Sequence, residues 1–96
     1  MEISKSDIVV SLAGHDKGKL FYVLDTDGVY VTLADGKQRR VEKPKRKKRI
    51  HVRKVLRQDS TLAAKITSGE KILNSELRRE LAKFSQQINV STKEGS

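Results

Sequence analysis

The residues most suggestive of chemistry are Gly14-His15-Asp16-Lys17-Gly18-Lys19, where glycines that free the backbone alternate with groups that attract phosphate. A nucleotide-binding P-loop needs four residues between its glycines and a Ser or Thr after its Lys. Here three residues intervene and Leu20 follows, which argues against a nucleoside triphosphatase. What remains is a tight basic turn. Gly14 and Gly18 serve its geometry, Gly18 also lets a polyanion backbone approach closely, and Lys17 and Lys19 flank it. His15 and His51 are the two imidazoles, and with no Cys and no HxH or HExxH spacing no metal site is expected. Asp25 and Asp27 sit close together, but Gly28 follows directly and no twelve-residue calcium loop is present, so they read as turn formers. No Ser or Thr stands in a pattern with a His and an acid that would make it a nucleophile. The chain is therefore expected to be neither an enzyme nor a cofactor carrier.

Its strongest chemical signal is charge. From Lys37 to Arg57 twelve Lys and Arg face the single acid Glu42, a net +11 in a chain whose total is +9, so the remainder is slightly acidic. Such a concentration attracts polyanions and releases their counterions on binding. Within it, Lys43-Pro44-Lys45-Arg46-Lys47-Lys48-Arg49 has three readings: a solvated charge run, a nuclear import signal, or a loop between two strands laid along phosphates. Lys acts as a point charge and Arg as a two-pronged donor, so Arg39, Arg40, Arg46, Arg49 and Arg53 are the better candidates for positioning on phosphate or stacking on bases. Phe21, Tyr22 and Tyr30 offer rings for stacking, though a chain with 4% aromatic residues needs most of them for its core.

These residues must be held by a small fold, since 96 residues make one domain the default and bury only a modest core. Short β-branched runs at 7–11, 19–24, 29–33, 38–41 and 50–55 are punctuated by turn signals, including Asp27-Gly28 and Asp35-Gly36 as hairpin tips. Five strands within about fifty residues predict a small barrel. Past Asp59 the composition favours helix. Leu62 and Ile66 suit a short helix before Gly69, and Leu77, Leu81, Phe84 and Ile88 line one face of a helix over residues 75–88. Asn74 or Ser75 is placed to cap its start, and a polar tail from residue 89 is expected to fray. No apolar run is long enough for a membrane span, and the segment MEISKSD lacks signal-peptide character, so a cytoplasmic address is expected.

The turn 14–19, continued as Leu20-Phe21-Tyr22-Val23, followed by Asp35-Gly36-Lys37, Glu42-Lys43-Pro44-Lys45-Arg46-Lys47-Lys48 and His51-Val52, resembles bacterial KOW-domain RNA-binding proteins. These are similar to the small KOW-containing large-subunit ribosomal proteins of archaea and eukaryotes. The likeness covers residues 7–55. His15 departs from the family's usual Arg, removing one permanent cation, and Val52 from its usual Leu. The resemblance implies a mainly β fold, an SH3-like barrel (KOW domain) over residues 1–56, with a C-terminal helical extension over 57–96. It implies a non-enzymatic, ribosome-associated chain, monomeric when free, that grips structured ribosomal RNA. The implied contacts are Gly14, His15, Lys17, Gly18, Lys19, Lys37, Arg39, Arg40, Lys43, Lys45, Arg46, Lys47, Lys48, Arg49, His51 and Arg53. The helix face over residues 77–88 is then available to the barrel or to a ribosomal protein. Two other readings stay open: a protein–protein adaptor, revealed by RNase-insensitive co-purification with a protein, and a transcription-associated KOW factor, revealed by association with RNA polymerase.

Overall fold

Two of the apolar runs are continuous rather than alternating, which is what a strand covered on both faces requires. In the computed structural model, which describes the backbone of residues 3–57 and 61–95 and the side chains of residues 3–55 and 61–84, these runs are the centre of a sheet. The strands are β1 (Asp7–Ser11), β2 (Leu20–Thr26), β3 (Tyr30–Ala34), β4 (Lys45–Lys48) and β5 (Val52–Arg57), followed by helices α1 (Thr61–Ser68) and α2 (Asn74–Gly95). They form one antiparallel sheet in the order β4-β3-β2-β1-β5.

The connectivity forces this sheet to curl. The outermost strands, β4 and β5, are consecutive in sequence and joined only by a 3-10 turn, Arg49–His51. Laid flat, they would stand roughly 19 Å apart, at about 4.8 Å per strand interval. Three residues in a 3-10 turn rise only about 6 Å. Irregular pairing between Ile8 and Val9 on β1 and between Val23 and Asp25 on β2 supplies local bends. The concave side holds Ile3, Val9, Phe21, Val23, Val31, Leu33 and Val52. There the Lys47 Nζ of β4 reaches the Ser11 Oγ of β1 at 2.7 Å, a contact across two intervening strands that only a folded-back sheet permits.

On the convex side Ile8, Tyr22 and Ala34 pack against Leu62 and Ile66 of α1 and Leu77, Leu81 and Phe84 of α2. The helix face considered for a ribosomal protein is thus covered by the chain's own sheet as far as Phe84. The Ile88 side chain lies outside the described residues. The α2 backbone starts one residue early and stays helical through Gly95, past the point where fraying was expected. Its first turn is held by Glu76, whose carboxylate accepts the Leu73 N–H at 2.9 Å. Of the two expected caps, Asn74 and Ser75, the first is used elsewhere: the Asn74 Oδ1 accepts the Val41 N–H at 2.9 Å and its Nδ2 donates to the Glu42 carboxylate.

Four expectations need correcting. Residues 38–41 form no strand, because the Asp35 carboxylate takes the Lys37 and Arg39 N–H groups, both at 2.9 Å, and folds the chain into a side-chain-closed turn. Asp35-Gly36 therefore opens a long connection rather than tipping a tight hairpin, whereas Asp27-Gly28 does tip the β2–β3 hairpin. The basic run is no loop: Lys45–Lys48 is strand β4, with Tyr30 opposite Lys48 and Leu33 opposite Lys45. The last strand begins at Val52 instead of residue 50, since Arg49–His51 is spent on the 3-10 turn.

Candidate nucleic-acid interface

The basic turn between β1 and β2 is built by its own backbone: the Gly18 N–H donates to the Ser11 carbonyl at 2.8 Å and the Ser11 N–H to the Lys19 carbonyl at 3.0 Å. Its acid, Asp16, is buried and faces inward, held by the Arg39 guanidinium at 3.1 Å with the Lys19 ammonium at 4.0 Å. Lys19 also donates to the Gln38 side-chain carbonyl. These contacts fasten the turn to the 35–39 connection. On the other side of the turn, Lys47 donates to the Ala13 carbonyl at 2.6 Å. His15 and Lys17 remain exposed at its tip.

Along β4 the side chains alternate. Lys45 and Lys47 are half-buried, pairing with the positions of Leu33 and Val31, while Arg46 and Lys48 are exposed. Arg46 lies 4.1 Å from the Tyr30 ring centroid and donates to Asp27 at 2.9 Å. That carboxylate also accepts the Tyr30 and Val29 N–H groups, and these bonds, with the Tyr30 one foremost, hold its pKa below the ordinary 3.8. Glu42, the lone acid of the basic segment, is likewise held below the usual carboxylate range, chiefly by the Asn74 amide.

The twelve Lys and Arg among the sixteen expected contact residues thus divide into two kinds. Arg39, Arg46, Lys47 and Lys19 have internal partners and shape the surface. Lys17, Lys37, Arg40, Lys43, Lys45, Lys48, Arg49 and Arg53 have no side-chain hydrogen bond or ion pair to another described residue. Gly14 stands beside β4, its missing Cβ only 3.7 Å from the Lys47 Nζ. His51 is exposed, with its carbonyl accepting the Leu12 N–H at 2.8 Å, which sets the 3-10 turn beside the start of the basic turn. Arg40 and Lys43 lie apart from this group, around the Val41 and Glu42 contacts to the start of α2. Phe21 and Tyr22 are buried and unavailable for stacking; Tyr30 is half-buried beneath Arg46.

Gly18, Lys19, Lys37 and Arg53 meet along one open groove of about 910 Å³ between the basic turn, β5 and α2. The groove adds a cation missing from the sequence reading, Arg78 of α2, which donates to the Gly36 carbonyl at 2.5 Å. The available signal was its place directly after Leu77, at the border of the apolar stripe, where a long basic side chain can lie along a buried seam.

Among the described residues no cluster of His, Cys, Asp and Glu is suited to hold a metal ion, and no helix is long and apolar enough to cross a membrane. Compared with known proteins, the chain matches no family model and no curated protein sequence.

Proposed function

We propose that this chain is a non-enzymatic RNA-binding protein of the cytoplasm, associated with the ribosome, whose curled sheet is an SH3-like barrel of the KOW type. One observation carries the reading: the acids Asp16, Asp27 and Asp35 are engaged internally, while Lys17, Lys37, Lys45, Lys48, Arg49 and Arg53 have no side-chain hydrogen bond or ion pair to another described residue. Asp16 faces Arg39, Asp27 caps its own turn and meets Arg46, and Asp35 caps backbone N–H groups. The outward field is therefore positive and fixed in shape, which reduces the ordering cost of gripping a polyanion. The strand order, with β5 returning beside β1 after a four-strand meander, fits an SH3-like barrel, and the order of the turn, Asp-Gly-Lys and basic motifs fits the KOW type. Structured RNA, ribosomal RNA above all, is the polyanion that this family likeness favours.

The test is binding of the purified chain to structured RNA across a salt series. Neutralising about five phosphates gives a slope of log K against log salt near −3.5 to −4.5. In a lysate gradient the chain is expected to sediment with ribosomal particles. A flat salt dependence, or RNase-insensitive co-purification with one protein, would replace this reading with the adaptor.

A further inference from the structure

The groove beside α2 has a composition that phosphate contacts alone do not require. Its rim is cationic, with Lys19 and Lys37 on the turns, Arg53 on β5 and Arg78 on α2. Its floor and wall are apolar, formed by Val10, Leu20, Val55, Leu81 and Ala82. The one acid on the lining, Asp35, directs its carboxylate to backbone N–H groups. At the mouth Gly18 has nothing within 4 Å of the place where a Cβ would stand. A closed duplex offers such a floor only polar edges and phosphates, whereas an unpaired base offers a flat apolar face with an anion on either side.

We propose that this groove receives one unpaired nucleotide of a bound RNA, its base against the apolar floor and its flanking phosphates on the cations of the rim. The proposal rests on the reading of the chain as an RNA binder and gives that reading a preferred substrate: RNA with a bulged or looped-out nucleotide. Arg53 and Arg78 supply forked donors suited to phosphate oxygens, and Arg78 is anchored by its bond to Gly36. Complementarity of charge and of apolar surface thus meets within one nucleotide.

The experiment compares two RNA duplexes identical except for a single bulged 2-aminopurine, measuring affinity for both and fluorescence for the bulged one. The bulged duplex is expected to bind about tenfold more tightly, as burial of one base's apolar face against aliphatic side chains supplies, and the 2-aminopurine signal is expected to change on binding. Ala82→Leu, which fills the groove wall at an exposed helix position without adding a ring for stacking, is expected to erase the preference while leaving the unbulged duplex within about twofold. Arg53→Gln, at an exposed strand position, is expected to weaken the bulged duplex more than the unbulged one. Equal affinity of the native chain for both duplexes overturns the groove assignment and leaves RNA binding intact. Displacement of the bulged duplex by polyglutamate at equal charge also overturns it, in favour of an acidic peptide. Binding of neither duplex overturns the RNA reading and this proposal with it.

Discussion

Gly18 and Gly36 share a left-handed backbone, with φ of +86° and +78°, and differ in what surrounds them. A Cβ on Gly36 would stand 2.2 Å from the Asn74 carbonyl oxygen, a backbone atom that moves only if α2 moves. One on Gly18 would meet open space. Gly36→Ala is therefore expected to destabilise the chain beyond the roughly 1–2 kcal/mol of left-handed strain and to show it as a lowered denaturation midpoint. Gly18→Asn tests something else, because Asn tolerates this backbone region while adding bulk at the groove mouth. It is expected to unfold within about 1 kcal/mol of the native chain yet bind RNA at least about fivefold more weakly. Native-like RNA affinity in that variant would assign Gly18 to turn geometry alone. Both glycines were legible as turn formers from their neighbours. That Gly36 is a docking point was not, because its crowding comes from a helix thirty-eight positions further on, at Asn74.

At the scale of elements, β4 unites two tasks that its spelling KRKK does not separate. Alternation puts Lys45 and Lys47 on the half-buried face and Lys48 on the exposed one, yet only Lys47 reaches Ser11 and Ala13, and Lys45 and Lys48 have no side-chain partner among the described residues. A variant with Lys45, Lys48 and Arg49 all changed to Gln is expected to keep its thermal midpoint within about 3 °C, since none of the three side chains has a hydrogen bond or ion pair to another described residue. Its RNA affinity at about 150 mM salt is expected to fall by one to two orders of magnitude. Lys47→Met is expected to do the reverse, costing roughly 1–3 kcal/mol because it removes two charge-assisted bonds, to the Ser11 hydroxyl and the Ala13 carbonyl, and leaves those groups only their bond to each other, with RNA affinity little changed once folded. If the triple variant binds as the native chain does, β4 is a bystander. The strands β1 to β3 could be read from the sequence because their apolar runs and the Asp27-Gly28 turn agree. β4 escaped because no apolar residue marks it; its pairing is set by β3 and by the closure of the curl.

Across the whole molecule, three acids tie separate parts together, Asp27 and Glu42 exposed and Glu76 half-buried. Asp27 links the β2–β3 turn to Arg46 of β4, Glu42 links the long connection to Asn74 of α2, and Glu76 links α2 to Lys65 of α1 at 2.8 Å. Each has its pKa lowered from ordinary values of 3.8 for Asp27 and 4.5 for the two Glu; for Glu76 the Lys65 bond is the main cause and the Leu73 N–H the next. A lowered carboxylate pKa stabilises the fold above the unfolded value, and that contribution is lost as pH falls through the folded one. The thermal midpoint is thus expected to drop as pH is taken from about 5 to 3. The variant D27N/E42Q/E76Q is expected to start lower at pH 7 and to fall less steeply; an equally steep fall would mean that other groups govern acid unfolding. The helical half of the architecture was legible from the spacing of Leu77, Leu81 and Phe84, but not its packing on the convex face, which depends on how far the sheet curls.

The short turn joining β4 to β5 has one further consequence, for solubility. Among the described residues β4 pairs only with β3, so its outer edge offers unused hydrogen-bonding groups to any extended chain that arrives. A second copy would have to bring four cations against four. The residues that attract a polyanion are thus also those that keep one copy from adding its strand to another, and an RNA that neutralises them removes that protection while covering the edge itself.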